Sequence, residues 1–104
     1  MNFRYLPFAR QDVIDLANFY NTQANGRGGR FVLDLADYVT LLLAAPRIGT
    51  RVTRPPRGRE VRYGFTRRFR TVVYYEVAAT EVVILSVQHH RSNRRPWRRR
   101  LNTP

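Results

Sequence analysis

Two adjacent histidines, His89 and His90, end a strongly apolar segment and are followed at once by arginines. Imidazole titrates at about pH 6.5, so each histidine can donate or accept a proton near neutral pH. Guanidinium groups keep their charge and bind phosphate or carboxylate through two parallel hydrogen bonds. One arginine precedes the apolar segment and six follow the histidines: Arg70, then Arg91, Arg94, Arg95, Arg98, Arg99 and Arg100. This combination indicates a surface that engages anions or polyanions.

Two apolar runs carry the histidines and predict the strands that position them. Residues 70–77 and 81–90 are rich in β-branched and aromatic side chains, and the link Ala78–Thr80 suits a tight turn. The pair should therefore be an antiparallel hairpin, and its two apolar faces favour a central place in a sheet. Neighbouring strand residues point to opposite faces. At most one of His89 and His90 should face a given site if the strand extends that far.

The remaining elements precede this hairpin in the chain. Phe3–Phe8 predicts a short strand, and Ala9–Asp12 leads into a helix with apolar residues at helical spacing. A break at Asn25–Gly29 separates it from a second helix, Arg30–Ala45, and Glu60–Phe65 predicts a further strand. The order β-α-α-β-β-β defines an α+β fold, with a helical hairpin packed on a mainly antiparallel sheet. We expect one domain over residues 1–97 and a basic C-terminal tail over residues 98–104.

The second helix has a wide apolar face. Phe31, Leu35, Tyr38, Val39 and Leu42 recur at helical spacing. Asp34 and Asp37 are predicted to turn away from that face. The pattern does not decide which of the apolar side chains form the core and which stay exposed.

Positive charge is concentrated in one half of the chain. The formal net charge is +12, and the whole excess lies in residues 46–104, which hold fifteen arginines and three glutamates. Such asymmetry favours nucleic acid or an acidic protein as the partner. A generally basic surface with no such partner is the alternative.

Several residue types are missing from the 104-residue chain. It has no cysteine, which excludes disulfides and thiolate metal sites, and no lysine, which excludes lysine bases and Schiff bases. No metal or cofactor is expected. The N-terminus does not resemble a signal peptide, and the longest apolar stretch, Leu41–Pro46, is too short to cross a bilayer. A soluble, cytoplasmic protein with no membrane partner is therefore expected.

Four short motifs, in order, give the chain a family resemblance. They are Ala9-Arg-Gln-Asp12-Val13, Leu42-Leu-Ala-Ala-Pro46-Arg-Ile48-Gly49, the stretch Arg67–Tyr75, and Ile84-Leu-Ser-Val-Gln-His-His-Arg91. Together they resemble the RelE/ParE superfamily of bacterial toxins, over nearly the whole chain. The resemblance implies a growth-arresting toxin and a cognate antitoxin, which together form a hetero-oligomer. RelE-like members cut mRNA in the ribosomal A site, whereas ParE-like members inhibit DNA gyrase and carry no nuclease site.

The resemblance leaves the two mechanisms open and favours the ParE-like one. For a ribonuclease, His90 or His89 would act as acid or base, with Arg70 and Arg91 stabilising the phosphorane. His90 lies where some ribonuclease members place a histidine, and His89 where gyrase-type members do. The lysines of the best-known ribonuclease branch are absent, and the position of a frequent strand arginine holds Val72. Glu60 is the one carboxylate that the pattern offers as a base near the sheet.

Two binding surfaces are expected. The target-binding set is Arg67, Arg68, Arg91, Arg94, Arg95 and Trp97. Trp97 either stacks on a base or, as we favour, packs on the sheet or a helix. An amphipathic antitoxin helix should dock on the apolar face of the second helix, at Phe31, Leu35, Tyr38 and Leu42.

Overall fold

A computed structural model describes residues 1–103, so Pro104, the last residue of the predicted tail, lies outside the described residues. Its elements, in chain order, are β1 (Asn2–Tyr5), α1 (Pro7–Gln23), α2 (Arg27–Ala44), a 3-10 turn (Pro46–Ile48), β2 (Thr50–Arg51), β3 (Val61–Phe65), β4 (Val72–Val77), β5 (Glu81–Gln88) and α3 (Trp97–Arg100). The predicted α+β class and the order β-α-α-β-β-β are confirmed. The very short β2 and α3 were not predicted.

The five strands form one mixed sheet in the order β1-β5-β4-β3-β2. β1 runs parallel to β5, and every other neighbouring pair is antiparallel. The predicted hairpin of β4 and β5 is central, and its turn is closed by the Ala78 N–H, which donates to the Glu81 carbonyl at 2.9 Å. An irregularity beside Tyr74 and Tyr75 leaves Leu85 without a direct partner in β4. The sheet therefore brings the first strand of the chain beside the last one.

The helices begin earlier than the sequence pattern predicts. β1 ends at Tyr5, and Pro7 opens α1, where its fixed φ and missing N–H suit the first turn. α2 begins at Arg27 rather than Arg30, after Gly26 in the left-handed region (φ 78°). Gly28 lies against α1, because an added Cβ would stand 2.4 Å from the Ala17 carbonyl oxygen. Asn25 and Gly26 thus separate the two helices as predicted, whereas Arg27, Gly28 and Gly29 form the first turn of α2.

The core lies between the helical hairpin and the sheet. Buried side chains of α2, including Phe31, Leu35 and Leu42, join those of β4 and β5 in one cluster. The prediction that Asp34 turns away from this face is wrong, because Asp34 is only 5% exposed. Its carboxylate accepts hydrogen bonds from the backbone N–H groups of Arg68 (3.1 Å) and Phe69 (2.9 Å). A buried acid is tolerated there because it binds the turn between β3 and β4.

The C-terminal segment packs against the sheet. Trp97 and Leu101 are buried, and the Arg100 guanidinium forms an ion pair with Asp12 of α1 (2.7 Å). Arg100 also donates to the Leu85 carbonyl in β5 (2.9 Å). Residues 97–101 are therefore fixed to both α1 and β5. None of the helices in residues 1–103 has the length and apolar character needed to cross a membrane.

Candidate functional site

The two histidines lie just beyond the last strand. β5 ends at Gln88, so the strand alternation that would separate the two rings does not reach them. The rings of His89 and His90 stack, with centroids 4.3 Å apart. His89 also meets the ring of Phe19 edge-on at 6.1 Å. Both histidines line the same cavity.

His89 favours its neutral form. Burial lowers the pKa of His89, and the neighbouring His90 and Arg91 lower it further. Its Nδ1 accepts a hydrogen bond from the Arg91 backbone N–H at 3.1 Å. A neutral imidazole that accepts at Nδ1 carries its proton on Nε2. His89 can therefore donate its Nε2–H to an anion, whereas its Nδ1 lone pair already accepts from the backbone and is not free to act as a base.

Four arginines complete this space, which we call the His–Arg cavity. It measures about 790 Å³ and lies between α1, the start of α2, the β3–β4 turn and the segment after β5. Its arginines come from three separate parts of the chain: Arg27, Arg68, Arg70 and Arg91. The predicted catalytic set, His89, His90, Arg70 and Arg91, is thus brought together. Arg27 was missed, since no local signal connects the glycine-rich turn with residues more than 40 positions later.

The β3–β4 turn holds Arg70 in an unusual conformation. Arg70 has φ +56°, in the left-handed region that non-glycine residues rarely adopt. Its guanidinium lies over the ring of Phe65, with 4.8 Å from Cζ to the centroid. Two side chains bind the backbone of this turn. The Asp34 carboxylate accepts from the Arg68 N–H, and the Thr66 hydroxyl accepts from the Thr71 N–H at 3.0 Å. Arg70 is therefore placed by backbone contacts as well as by its own side chain.

A second group of arginines lies on the sheet face opposite the helical hairpin. A row of four aromatic rings in contact runs across β3, β4 and α3. The centroid distances are 6.2 Å for Phe65–Tyr63, 5.5 Å for Tyr63–Tyr74 and 6.0 Å for Tyr74–Trp97. Arg95 lies over Tyr74 (5.9 Å) and Arg98 over Trp97 (4.7 Å). We call Arg70, Arg95 and Arg98 the sheet-face arginines. Cation–π contacts help to hold these exposed guanidinium groups in place.

The predicted target-binding residues lie on several surfaces. Arg95 and Trp97 belong to the sheet face, and Arg91 to the His–Arg cavity. Arg94 lines a separate hollow beside Asp12 and Arg100. Trp97 is 4% exposed, so its ring packs on Tyr74 and supports Arg98. Arg67 and Arg68 face a groove beside α2.

The acids of the basic half are already paired. Glu60 accepts from Arg62 (2.7 Å) and Arg47 (3.1 Å), and these hydrogen bonds lower the pKa of Glu60. Arg59 pairs with Glu76, and Arg4 pairs with Glu81. Glu60 does not line the His–Arg cavity, which has no carboxylate among its described lining residues. Within residues 1–103, no cluster of three histidine, cysteine or acidic side chains forms a metal site.

The predicted antitoxin-binding residues lie in the core. Phe31 and Leu42 are fully buried, and Leu35 and Tyr38 are 2% and 8% exposed. A groove of about 690 Å³ runs between α2 and β3, and we call it the α2–β3 groove. Its exposed apolar side chains are Leu41, Ile48 and Phe65. Helical spacing alone could not tell Leu41 of α2 from a core residue. Asp37 and Arg67 also line it.

A helical hairpin over a mixed five-stranded sheet, with an arginine-rich C-terminal half, defines a small α+β domain. The chain belongs to the family described as ParE toxin of type II toxin–antitoxin system, parDE, whose model matches residues 3–94. This confirms the predicted resemblance to the RelE/ParE superfamily, on its ParE-like side.

A solved structure has the same fold. A chain of the chromosomal ParDE toxin–antitoxin system from P. aeruginosa matches with a TM-score of 0.71 at 20% sequence identity. The match covers 86% of this chain and 95% of that one. Among curated proteins, none matches the chain significantly.

Proposed function

We propose that this type II toxin arrests growth by binding DNA gyrase directly, with no chemistry of its own. Membership of the ParE toxin family over residues 3–94 is the observation that carries the proposal. The ParE-like members that the sequence resembles inhibit gyrase. The pairing of Glu60 with Arg47 and Arg62 supports a non-catalytic role, because it removes that carboxylate as a free base.

The sheet-face arginines and their neighbours form the proposed gyrase contact. Arg95 donates to the carbonyls of Ser92 (3.2 Å) and Arg94 (2.8 Å), and Arg98 donates to the carbonyl of Arg54 (3.1 Å). Guanidinium groups that are already fixed lose little conformational entropy when they bind a partner. Arg67, Arg68, Arg91, Arg94 and Trp97 stay in the proposed target-binding set, Trp97 as the support of Arg98.

A supercoiling assay with purified gyrase tests this proposal. The wild-type protein should inhibit supercoiling, and the double variant Arg95→Gln/Arg98→Gln should require a concentration about tenfold higher or more. Arg30→Gln/Arg57→Gln is the matched control, because it removes two exposed charges from residues outside the proposed target-binding set. Unaffected gyrase across a wide excess of wild-type protein would contradict the proposal.

The proposed antitoxin contact is the α2–β3 groove. Leu41, Ile48 and Phe65 are 44%, 53% and 40% exposed, which suits the apolar face of an amphipathic segment. The charged residue Arg67 at the groove would pair with acids on that segment. The four α2 residues predicted from the sequence would then support the groove from inside the core.

Binding of the protein encoded by the neighbouring reading frame tests this contact. The double variant Leu41→Asp/Ile48→Asp should bind that protein much more weakly than the wild type does, because two charges would be buried in the contact. Ile14→Asp is the control, since Ile14 is 48% exposed on α1 and lies outside the groove. Equal affinity of the groove variant and the control would contradict the placement.

Ribosome-dependent mRNA cleavage is the alternative function. It is favoured by one observation: His89, His90, Arg70 and Arg91 line one cavity. Translating ribosomes incubated with the protein, followed by mapping of mRNA ends, would show cleavage that His89→Ala or His90→Ala abolishes. Uncleaved mRNA together with unchanged toxicity of both variants would remove this alternative.

A further inference from the structure

Arg27 lies in the His–Arg cavity in a way that the toxin fold itself does not explain. Its guanidinium carbon is 5.4 Å from the ring centroid of Tyr20 and 5.1 Å from that of Phe69. Its Nε atom is buried and makes no hydrogen bond to the described residues. A buried donor without a partner costs free energy, so such groups call for an explanation. The Nε atom itself is closed off from solvent, so an anion in the cavity would bind Arg27 through its other guanidinium N–H groups.

The charge around Arg27 selects a multiply charged anion. Arg27, Arg68, Arg70 and Arg91 line the cavity, and no acid does so among residues 1–103. Asp34, which lies behind the β3–β4 turn, already accepts from the Arg68 and Phe69 N–H groups. Four guanidinium groups exceed what a lone carboxylate neutralises, whereas a phosphate or polyphosphate accepts several bidentate pairs.

The walls of the cavity suit a flat ring. Phe19 is 45% exposed and meets His89 edge-on, and the ring of Phe69 lies 4.8 Å from that of Tyr20. Gln23 adds an amide that can both donate and accept hydrogen bonds. The volume of about 790 Å³ is in the range of small-molecule sites. Aromatic faces of this kind stack on nucleobases, whichever the base.

We propose that the His–Arg cavity is a nucleotide-binding site. The base lies against Phe19 and His89, and the phosphates bind Arg27, Arg70 and Arg91. The ligand is either a free nucleotide or a phosphorylated end of an oligonucleotide, since both present the same base and phosphate groups. This site shares Arg70 and Arg91 with the proposed gyrase contact but includes neither Arg95 nor Arg98, and it needs neither gyrase nor ribosome to bind.

Isothermal titration of the full chain at neutral pH tests the site with four probes. The probes are AMP, ATP, inorganic phosphate and a short oligonucleotide with a 5′-phosphate. ATP should bind more tightly than AMP, and AMP more tightly than inorganic phosphate, because the site uses both the base and the charge. Tight binding of the oligonucleotide with weak binding of free nucleotides would assign the ligand to a nucleic-acid end.

Two variants at the site and one matched control make the test specific. Arg27→Gln and the exposed Arg91→Gln should each weaken nucleotide binding by about 10- to 100-fold, the range of a charge-assisted hydrogen bond. Arg57→Gln removes the same charge from the loop between β2 and β3 and should leave affinity unchanged. Because Arg91 is exposed, its variant remains informative if Arg27→Gln does not fold.

Three results would overturn the proposal. The first is no heat of binding for nucleotides or oligonucleotide up to millimolar concentration. The second is an equal loss of affinity in Arg57→Gln, which would mean non-specific attraction to a basic protein. The third is a glutamate-rich peptide that binds as tightly as ATP and displaces it, which would make the cavity an acidic-peptide site. If Arg27→Gln still inhibits gyrase normally, each of these results would overturn the nucleotide site alone and would not affect the proposed gyrase inhibition.

Discussion

The carboxylate of Asp12 in α1 pairs with the guanidinium of Arg100 in α3, with Oδ2 2.7 Å from Nη1. The same Oδ2 accepts from the Val87 N–H at 3.0 Å, and Arg100 donates to the Leu85 carbonyl. The two side chains are only 21% and 15% exposed, so solvent screens the pair weakly. This contact joins the first helix, the last strand and the C-terminal helix. It also fixes the segment that carries Arg95 and Arg98.

Replacing Asp12 should therefore destabilise the whole domain. Asp12→Ala leaves the Arg100 charge and the Val87 N–H without their acceptor, so the free energy of unfolding should fall by about 2–3 kcal/mol. Urea unfolding followed by circular dichroism measures it. Asp15→Ala is the control, because Asp15 is exposed and should change stability by no more than about 0.5 kcal/mol. A loss in Asp12→Ala as small as that in Asp15→Ala would contradict a stabilising role of the pair.

Asp34 should be needed to hold the β3–β4 turn. Asp34→Ala leaves the N–H groups of Arg68 and Phe69 without their acceptor at a partly buried site, which should cost about 1–3 kcal/mol. Amide hydrogen exchange should accelerate at these two positions more than elsewhere in the sheet. Asp37→Ala, on the exposed side of α2, should leave exchange at the turn unchanged. A protected turn in Asp34→Ala would contradict this role.

Gly64 should tolerate no side chain while Tyr38 keeps its hydroxyl. A Cβ on Gly64 would stand 1.8 Å from the Tyr38 oxygen, so Gly64→Ala should lower the free energy of unfolding by about 1–3 kcal/mol. In the double variant Gly64→Ala/Tyr38→Phe the missing oxygen should restore part of that loss. A double-mutant cycle from denaturant unfolding measures the coupling. Strictly additive effects would show that the two residues do not interact.

His89 should make the protein less stable in mild acid. Its folded pKa is lowered from 6.5 by burial and by His90 and Arg91, so below that pH the unfolded chain binds a proton more readily than the folded one. The free energy of unfolding should therefore fall as pH decreases from 6.5 towards the folded pKa. His89→Gln removes this contribution, and its stability should fall less between neutral and acid pH. Denaturant unfolding of both proteins across that pH range measures the effect. An equal loss of stability in the wild type and in His89→Gln would contradict a lowered pKa of His89.

The sequence predicts the elements well and their non-local contacts poorly. Val72–Val77 and Glu81–Gln88 are evident as strands because alternation and β-branched residues act locally. The burial of Asp34 is not evident from the sequence, because its carboxylate binds the backbone of the β3–β4 turn, more than 30 residues away in the chain. Helical spacing finds the apolar face of α2, but burial of Leu35 and exposure of Leu41 depend on where the sheet ends beneath them. Arg27 joins the His–Arg cavity through tertiary packing alone.

Plasmid topology in cells that express the chain tests the proposed gyrase inhibition most directly. Without antitoxin, the wild-type protein should stop growth and shift a reporter plasmid towards relaxed forms, while mRNA ends stay intact. The variant Arg95→Gln/Arg98→Gln should leave the plasmid supercoiled and growth nearly normal. Growth arrest with normal supercoiling and new mRNA ends at codon boundaries would contradict gyrase inhibition and favour the nuclease.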